Sequence, residues 1–204
     1  MSEPTPALSP AQPTRIVLTG FMGAGKTTVG ALLAEKLGWQ FVDSDRVVEA
    51  EAGMTIAEIF GSRGEAAFRE MEAGAIREAA RGERLVIAVG GGALESAATR
   101  DFLANLAGCA VVFLEAPLET MIARCAAHMD GPVRPVLADR DRLAERWSRR
   151  LPWYREAHLT VDTGGLAPEG VTECILRKIN PGAANNLRDH EEAVRGREKS
   201  GVPV

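Results

Sequence analysis

Residues 16–37 constrain this chain more than any other stretch. A short β-type run, Ile16-Val17-Leu18-Thr19, meets Gly20-Phe21-Met22-Gly23-Ala24-Gly25-Lys26-Thr27, and Val29, Leu32, Leu33 and Leu37 then fall on one helical stripe. Strand, glycine-rich loop and helix thus stand in the order a phosphate-binding α/β unit requires. The glycines let the backbone curl with successive N–H groups pointing inward, and the helix beginning near Lys26 adds the positive end of its dipole. The loop reads as a P-loop, with Gly23, Ala24, Gly25, Lys26, Thr27 and Thr28 as nucleotide-binding candidates. Lys26 reaches the β- and γ-phosphates in such a loop, and Thr27 offers its hydroxyl to Mg²⁺. Only four of the 24 basic residues are lysines, yet one stands here, where a compact ammonium and a guanidinium are not interchangeable.

A chain of 204 residues, 46% hydrophobic and 25% charged, suits one α/β domain with a substantial core. No run is long and apolar enough to span a bilayer, and residues 1–14, with four prolines, one acidic residue and no base, read as a disordered lead-in rather than a signal peptide. Cys109, Cys125 and Cys174 lack CxxC spacing, which argues against zinc and against a disulfide framework and fits a reducing cytoplasm. A net charge of −4 offers nucleic acid no general attraction, so a positive patch must be local and suited to a small anionic ligand.

Gly38 ends the first helix, and Trp39-Gln40-Phe41-Val42 reads as a second strand running into Asp43-Ser44-Asp45. In an open α/β sheet the ligand crevice lies beyond the carboxyl ends of the strands, so both aspartates belong near the phosphates, where a shared cation would relieve their repulsion. Alternating along extended backbone, they would point to different sides and divide the work, one serving the metal and the other an acceptor hydroxyl. The competing reading makes Asp45 the N-cap of a helix over residues 46–51. Thr55 and Glu58 form a capping-box pattern for a short helix ending at Phe60, residues 61–64 break it, and a longer helix covers residues 65–81 with Phe68, Met71, Ala75 and Ile76 inward. Arg69 and Glu72, one turn apart on another face, read by themselves as a solvated ion pair.

Residues 84–89 form the next strand, closed by Gly90-Gly91-Gly92, which removes every side chain where a ligand could approach. No aspartate ends that strand, so Asp43 is the leading metal ligand in its place. Ser96 caps a helix to about Leu106, residues 110–114 make a fourth strand, and Pro117 opens a helix over residues 118–127. The aperiodic, proline-containing stretch that follows, about 127–138, reads as a mobile lid carrying Arg134. Asp139 caps a helix through Arg150, crowded with arginines and interrupted by Pro152-Trp153-Tyr154. A fifth strand over 159–161, a helix from Pro168 to Ile179 and a charged tail over 181–204 complete the chain.

Taken together, GFMGAGKTTVG at 20–30, FVDSD at 41–45, GEAAFREME at 64–72, GGG at 90–92, RP at 134–135 and RLPWY at 150–154 resemble the shikimate kinase family of P-loop enzymes over about residues 14–179. The resemblance implies a three-layer α/β sandwich with a five-stranded parallel sheet flanked by helices, and ATP-dependent phosphorylation of the 3-hydroxyl of shikimate in aromatic amino acid biosynthesis. It implies that Asp45, Arg69, Gly90, Gly91, Gly92 and Arg150 hold shikimate, with Glu72 steadying Arg69. It places Thr27 and Asp43 on Mg²⁺, Arg134 at the phosphates with the lid, and Arg124 against the adenine, with Lys26, Asp45 and Arg134 catalytic. Trp153 stands where the family usually has Leu. A monomer is the expected state, with no nucleic-acid or membrane partner.

Shikimate carries a carboxylate and three hydroxyls, which guanidinium forks and a carboxylate acceptor can recognise. The nearest rival is a kinase of similar build acting on another small polar acceptor such as gluconate, and the discriminator is the pair of arginines flanking Asp45, because a carboxylate-bearing ring needs them in that geometry. A nucleoside monophosphate acceptor would want aromatic residues to stack its base, and few lie between strands two and three. A nucleotide-binding switch, a different class of protein, would need no second pocket.

Overall fold

The structure, a computed structural model, describes residues 12–127 and 139–180. The sequence-predicted lead-in, apart from residues 12–14, together with the lid, Arg134 and the tail, lies outside the described residues. The strands are β1 (Arg15–Thr19), β2 (Gln40–Asp43), β3 (Leu85–Ala88), β4 (Cys109–Glu115) and β5 (Leu159–Asp162). They form one parallel sheet in the order β2-β3-β1-β4-β5. Among the described residues the helices are α1 (Lys26–Leu37), α2 (Ser44–Ala52), α3 (Ile56–Ala79), α4 (Ala97–Ala104), α5 (Leu118–Ala127), α6 (Arg140–Tyr154) and α7 (Pro168–Ile179), with a single 3₁₀ turn at Ala93–Glu95. The α/β class and the five-stranded parallel sheet agree with the expectation from sequence.

The central strands β1, β3 and β4 are buried almost end to end, as parallel strands covered on both faces must be, whereas the edge strands β2 and β5 are partly exposed. Register does the positioning. Ala88 lies opposite both Asp43 and Leu18, so β2, β3 and β1 end within one residue of one another, while β4, with Val112 opposite Leu18, runs on to Glu115. The loops that follow them therefore open along one edge, at the point where the chain reverses its direction of sheet building. Phe113, Tyr154, Phe21 and Trp147 lock β4 to α6 below that edge. The Phe113 and Tyr154 rings stack at 5.2 Å, and Phe21 meets Trp147 edge-on at 5.6 Å. Truncating a ring so placed, as in Phe113→Ala, costs about 3–5 kcal/mol.

Several local expectations are corrected. Asp43, not Asp45, caps α2, its Oδ1 accepting from the Asp45 N–H at 3.1 Å, and the helix begins at Ser44, so Asp43 and Asp45 do not alternate along one extended backbone. A two-residue step onto a helix turns both carboxylates toward the P-loop instead of to opposite sides. The break expected over residues 61–64 shrinks to one non-helical residue, Gly64 (φ 81°, ψ 171°), so α3 bends there rather than ending at Phe60. A second hydrophobic cluster of Val48, Ile59, Phe68 and Ala75 ties both halves of α3 to α2. Pro152 does not end α6. A proline inside a helix costs about 3 kcal/mol, and the anchoring of buried Tyr154, whose hydroxyl donates to the Gly91 carbonyl, offsets it.

Candidate active site

The P-loop wraps the N-terminus of α1. Gly23 has a positive φ of 73°, and a Cβ there would collide with the Met121 carbonyl, so only glycine lets the loop close against α5. Lys26 Nζ donates to the Gly20 and Phe21 carbonyls at 2.8 and 3.0 Å, which folds the ammonium over the loop's own backbone. Burial pulls its pKa below the usual lysine range, against the opposing pull of Asp45 and Asp43. Thr27 Oγ1 donates to Asp43 Oδ2 at 2.9 Å.

Gly23, Ala24, Gly25, Lys26, Thr27, Thr28 and Arg124, all nucleotide candidates from sequence, line one cavity of about 490 Å³. Its far wall is apolar, formed by Leu166, Pro168 and Val171 at the start of α7, with Thr163 between. Arg124 is fixed there by a 3.0 Å hydrogen bond to Thr163 Oγ1. Sequence reasoning missed this wall, although its position just past the carboxyl end of β5 was a usable signal. A flat aromatic base fits between an arginine and such a surface.

On the other side of Lys26 lies a charged recess. Asp45 Oδ1 is buried without a hydrogen-bond partner, and burial together with the neighbouring Asp43 raises its pKa. Arg69 Nη1 donates to Glu72 Oε2 at 2.7 Å, and Nη2 pairs with Glu65 at 3.1 Å. The solvated-pair reading of Arg69 and Glu72 does not hold: Glu72 is 2% exposed, its Oε1 has no partner, and burial raises its pKa in spite of Arg69. For Arg69 burial works downward, but the hydrogen bond and charge of Glu72 prevail and hold the guanidinium's proton more firmly. Arg150, 9% exposed, enters from α6 above the Phe21 ring at 5.9 Å and pairs with Glu95.

The three glycines form the floor. A Cβ at Gly90 would stand 2.6 Å from Asp45 Oδ1 and closer still to Glu72 Oε1, while one at Gly92 would strike the Arg69 guanidinium. Gly90 does not offer its N–H to a ligand, since it donates to buried Ser44 Oγ at 3.1 Å. Sequence reasoning also missed Glu95, Glu65 and Tyr154. Glu95 carries no pattern that would have marked it, and Tyr154 was hidden by the expected break at Pro152.

The donor set suits Mg²⁺. Thr27 and Asp43 offer a hydroxyl and a carboxylate already hydrogen-bonded together, and beside them the buried Asp45 Oδ1 has no hydrogen-bond partner, an oxygen donor still to be satisfied. Among the described residues no three His, Cys, Asp or Glu side chains cluster as a metal site.

A P-loop at the switch point of a parallel sheet, with a nucleotide-sized cavity on one side and a charged recess on the other, defines a P-loop kinase of small molecules. The family model described as shikimate kinase matches residues 22–180, and the chain belongs to that family. It is 40% identical over 177 residues to a shikimate kinase of Psychrobacter cryohalolentis, covering 86% of this chain and 94% of the relative. Among solved structures, the shikimate kinase of Acinetobacter baumannii in complex with shikimate superposes with a TM-score of 0.74 at 39% identity, over 81% of this chain and 92% of that one. A gluconokinase of Sinorhizobium meliloti, at 20% identity and a TM-score of 0.53 over 87% of this chain and 98% of its own, shares the fold alone. No helix among the described residues is long and apolar enough to cross a membrane.

Proposed function

We propose that the chain transfers the γ-phosphoryl group of ATP to the 3-hydroxyl of shikimate, giving shikimate 3-phosphate and ADP on the route to the aromatic amino acids. Membership of the shikimate kinase family supports the reaction. The observation that carries the site assignment is the recess itself: Asp45, Arg69 and Arg150 converge on the glycine floor beside Lys26.

Arg69 and Arg150 bind the acceptor's carboxylate, Asp45 orients the 3-hydroxyl, and the backbone at Gly90, Gly91 and Gly92 lets the ring lie close. Glu72 aims Arg69 from beneath. Phosphoryl transfer passes through a loose transition state, so positioning and charge neutralisation supply most of the rate. Lys26 leaves the Gly20 and Phe21 carbonyls for the β- and γ-phosphate oxygens, joined by the amides of residues 23–28. As the new O–P bond forms, the hydroxyl proton passes to Asp45, which burial has already made the more willing acceptor. Thr27 and Asp43 would hold Mg²⁺, which when bound neutralises charge on the β- and γ-phosphates. The adenine lies between Arg124 and the apolar start of α7. Arg134, beyond the described residues, is assigned to the phosphates by resemblance. We place the protein in the cytoplasm as a monomer, a setting that the lack of CxxC spacing among Cys109, Cys125 and Cys174 favours.

Acceptor exchange in an ADP-release assay tests the assignment. Turnover with shikimate should exceed that with gluconate by at least about 10³, because gluconate's carboxylate sits on an open chain and does not meet both arginines in the geometry set by a ring that also presents its hydroxyl to Asp45. Equal turnover would overturn the choice of acceptor.

A further inference from the structure

The two arginines assigned to the acceptor's carboxylate do not wait empty. Glu95, in the 3₁₀ turn just past the glycine floor, places Oε1 2.7 Å from Arg150 Nε and 2.6 Å from Nη2, along the edge a planar carboxylate uses to engage a guanidinium. The same oxygen lies 3.9 Å from Arg69 Nη2, so one carboxylate oxygen sits between both groups of the pair. Its other oxygen faces Arg149 Nη2 at 3.3 Å. Arg150 is 11% exposed at its side chain and Arg149 55%, so Glu95 bridges a shielded partner and a solvated one. The shielded pairing is the stronger and the solvated one the easier to remake.

The backbone of this turn is held independently of the side chain. Arg100 Nη1 donates to the Leu94 and Glu95 carbonyls at 2.6 and 3.3 Å. Its guanidinium lies over the Trp153 ring at 5.4 Å and pairs with Glu156 at 3.1 Å, both near the end of α6. The large ring at position 153 thus fastens the residue that fixes the base of Glu95. A rotation of Glu95 alone can release Arg150 and keep Arg149.

We infer that Glu95 is an internal stand-in for the acceptor's carboxylate: it neutralises Arg150 in the empty site and yields to the incoming acid by falling back on Arg149, so that it sets the acceptor's affinity. The inference rests on the assignment of Arg69 and Arg150 to the acceptor. Exchange of one carboxylate for another spares the buried guanidinium an unpaired state at any stage, and its cost is weaker net binding. The opposite role, a clamp that keeps Arg150 aimed at the acceptor, predicts the reverse effect of removing the charge.

The test is the KM for shikimate and its Kd by tryptophan fluorescence in wild type, Glu95→Gln, Arg149→Ala and the double variant, with the KM for ATP measured alongside. Glu95→Gln should lower the shikimate KM and Kd about fivefold and leave the KM for ATP in place. Arg149→Ala should raise the shikimate KM when Glu95 is present and much less when Gln stands at 95, because only a displaced carboxylate needs the second partner. An unchanged or higher shikimate KM in Glu95→Gln, or an equal effect of Arg149→Ala in both backgrounds, overturns the exchange. A wild type that fails to phosphorylate shikimate at all defeats the acceptor assignment itself, a separate outcome.

Discussion

The two halves of the site are built by different physics. The nucleotide half is largely backbone: residues 23–28 contribute amides and a helix terminus, and an apolar wall from the start of α7 closes it. The acceptor half is almost all charged side chains, drawn from α2, α3, the 3₁₀ turn and α6, each needing the others for neutrality. A backbone site tolerates side-chain change wherever the loop still closes. A site of mutually compensating charges does not, since removing one partner leaves another buried and unpaired.

Substitutions can break this contrast. The largest effect is expected of Lys26→Met, which removes the ammonium assigned to the β- and γ-phosphates: kcat should fall by 10³ or more, about 4 kcal/mol of transition-state stabilisation, in single-turnover assays. Binding of shikimate without nucleotide should persist. Asp45→Asn should lower kcat by about 10²–10³ while the Kd for ATP moves less than about threefold. It should also raise Tm, because it removes a carboxylate whose charge the fold disfavours. ATP consumption that ignores both shikimate and this substitution would instead favour a nucleotide-binding switch.

Gly90→Ala should separate the halves further. The new methyl group meets the carboxylates of Asp45 and Glu72, so the KM for shikimate should rise about tenfold with nucleotide affinity unaltered. Equal losses for both substrates would mean that the floor supports the P-loop as well.

The smallest effect concerns pH. Burial raises the pKa of Glu72 above its ordinary value of 4.5, so the folded protein binds this proton more tightly than the unfolded chain does. Its contribution is therefore fully present below about 4.5 and is lost as pH rises through the raised value. Lys26, whose pKa burial lowers from 10.5, contributes with the opposite slope, its destabilising effect fading as pH rises toward 10.5. Urea titrations of the wild type and Glu72→Gln across mildly acidic pH should show a smaller decline in the variant, and identical slopes would contradict the burial argument.

The same division explains what could be read from the sequence. Strand, loop and helix from Ile16 to Leu37 are specified locally, and the helices Leu118–Ala127 and Pro168–Ile179 fall where Pro117 and Pro168 place their starts. Asp43, Asp45, Arg69 and Arg150 could be named because six ordered motifs carried them. Glu72 could be named with Arg69, but Glu65 and Glu95 could not. Glu95 has no periodic or capping signature, and the burial of Glu72 depends on how α3 bends at Gly64 and returns to the sheet. The misreadings at Pro152 and Gly64 share a cause, in that tertiary contacts of Tyr154 and of the Val48, Ile59 and Phe68 cluster outweigh a local breaker.

The most direct test of the account follows phosphorus. With purified protein, MgATP and shikimate, ³¹P NMR should show the γ-phosphate signal replaced one for one by that of a phosphate monoester on the shikimate ring, with ADP appearing in step and little turnover when shikimate is omitted. Release of inorganic phosphate at a rate indifferent to shikimate would contradict the account.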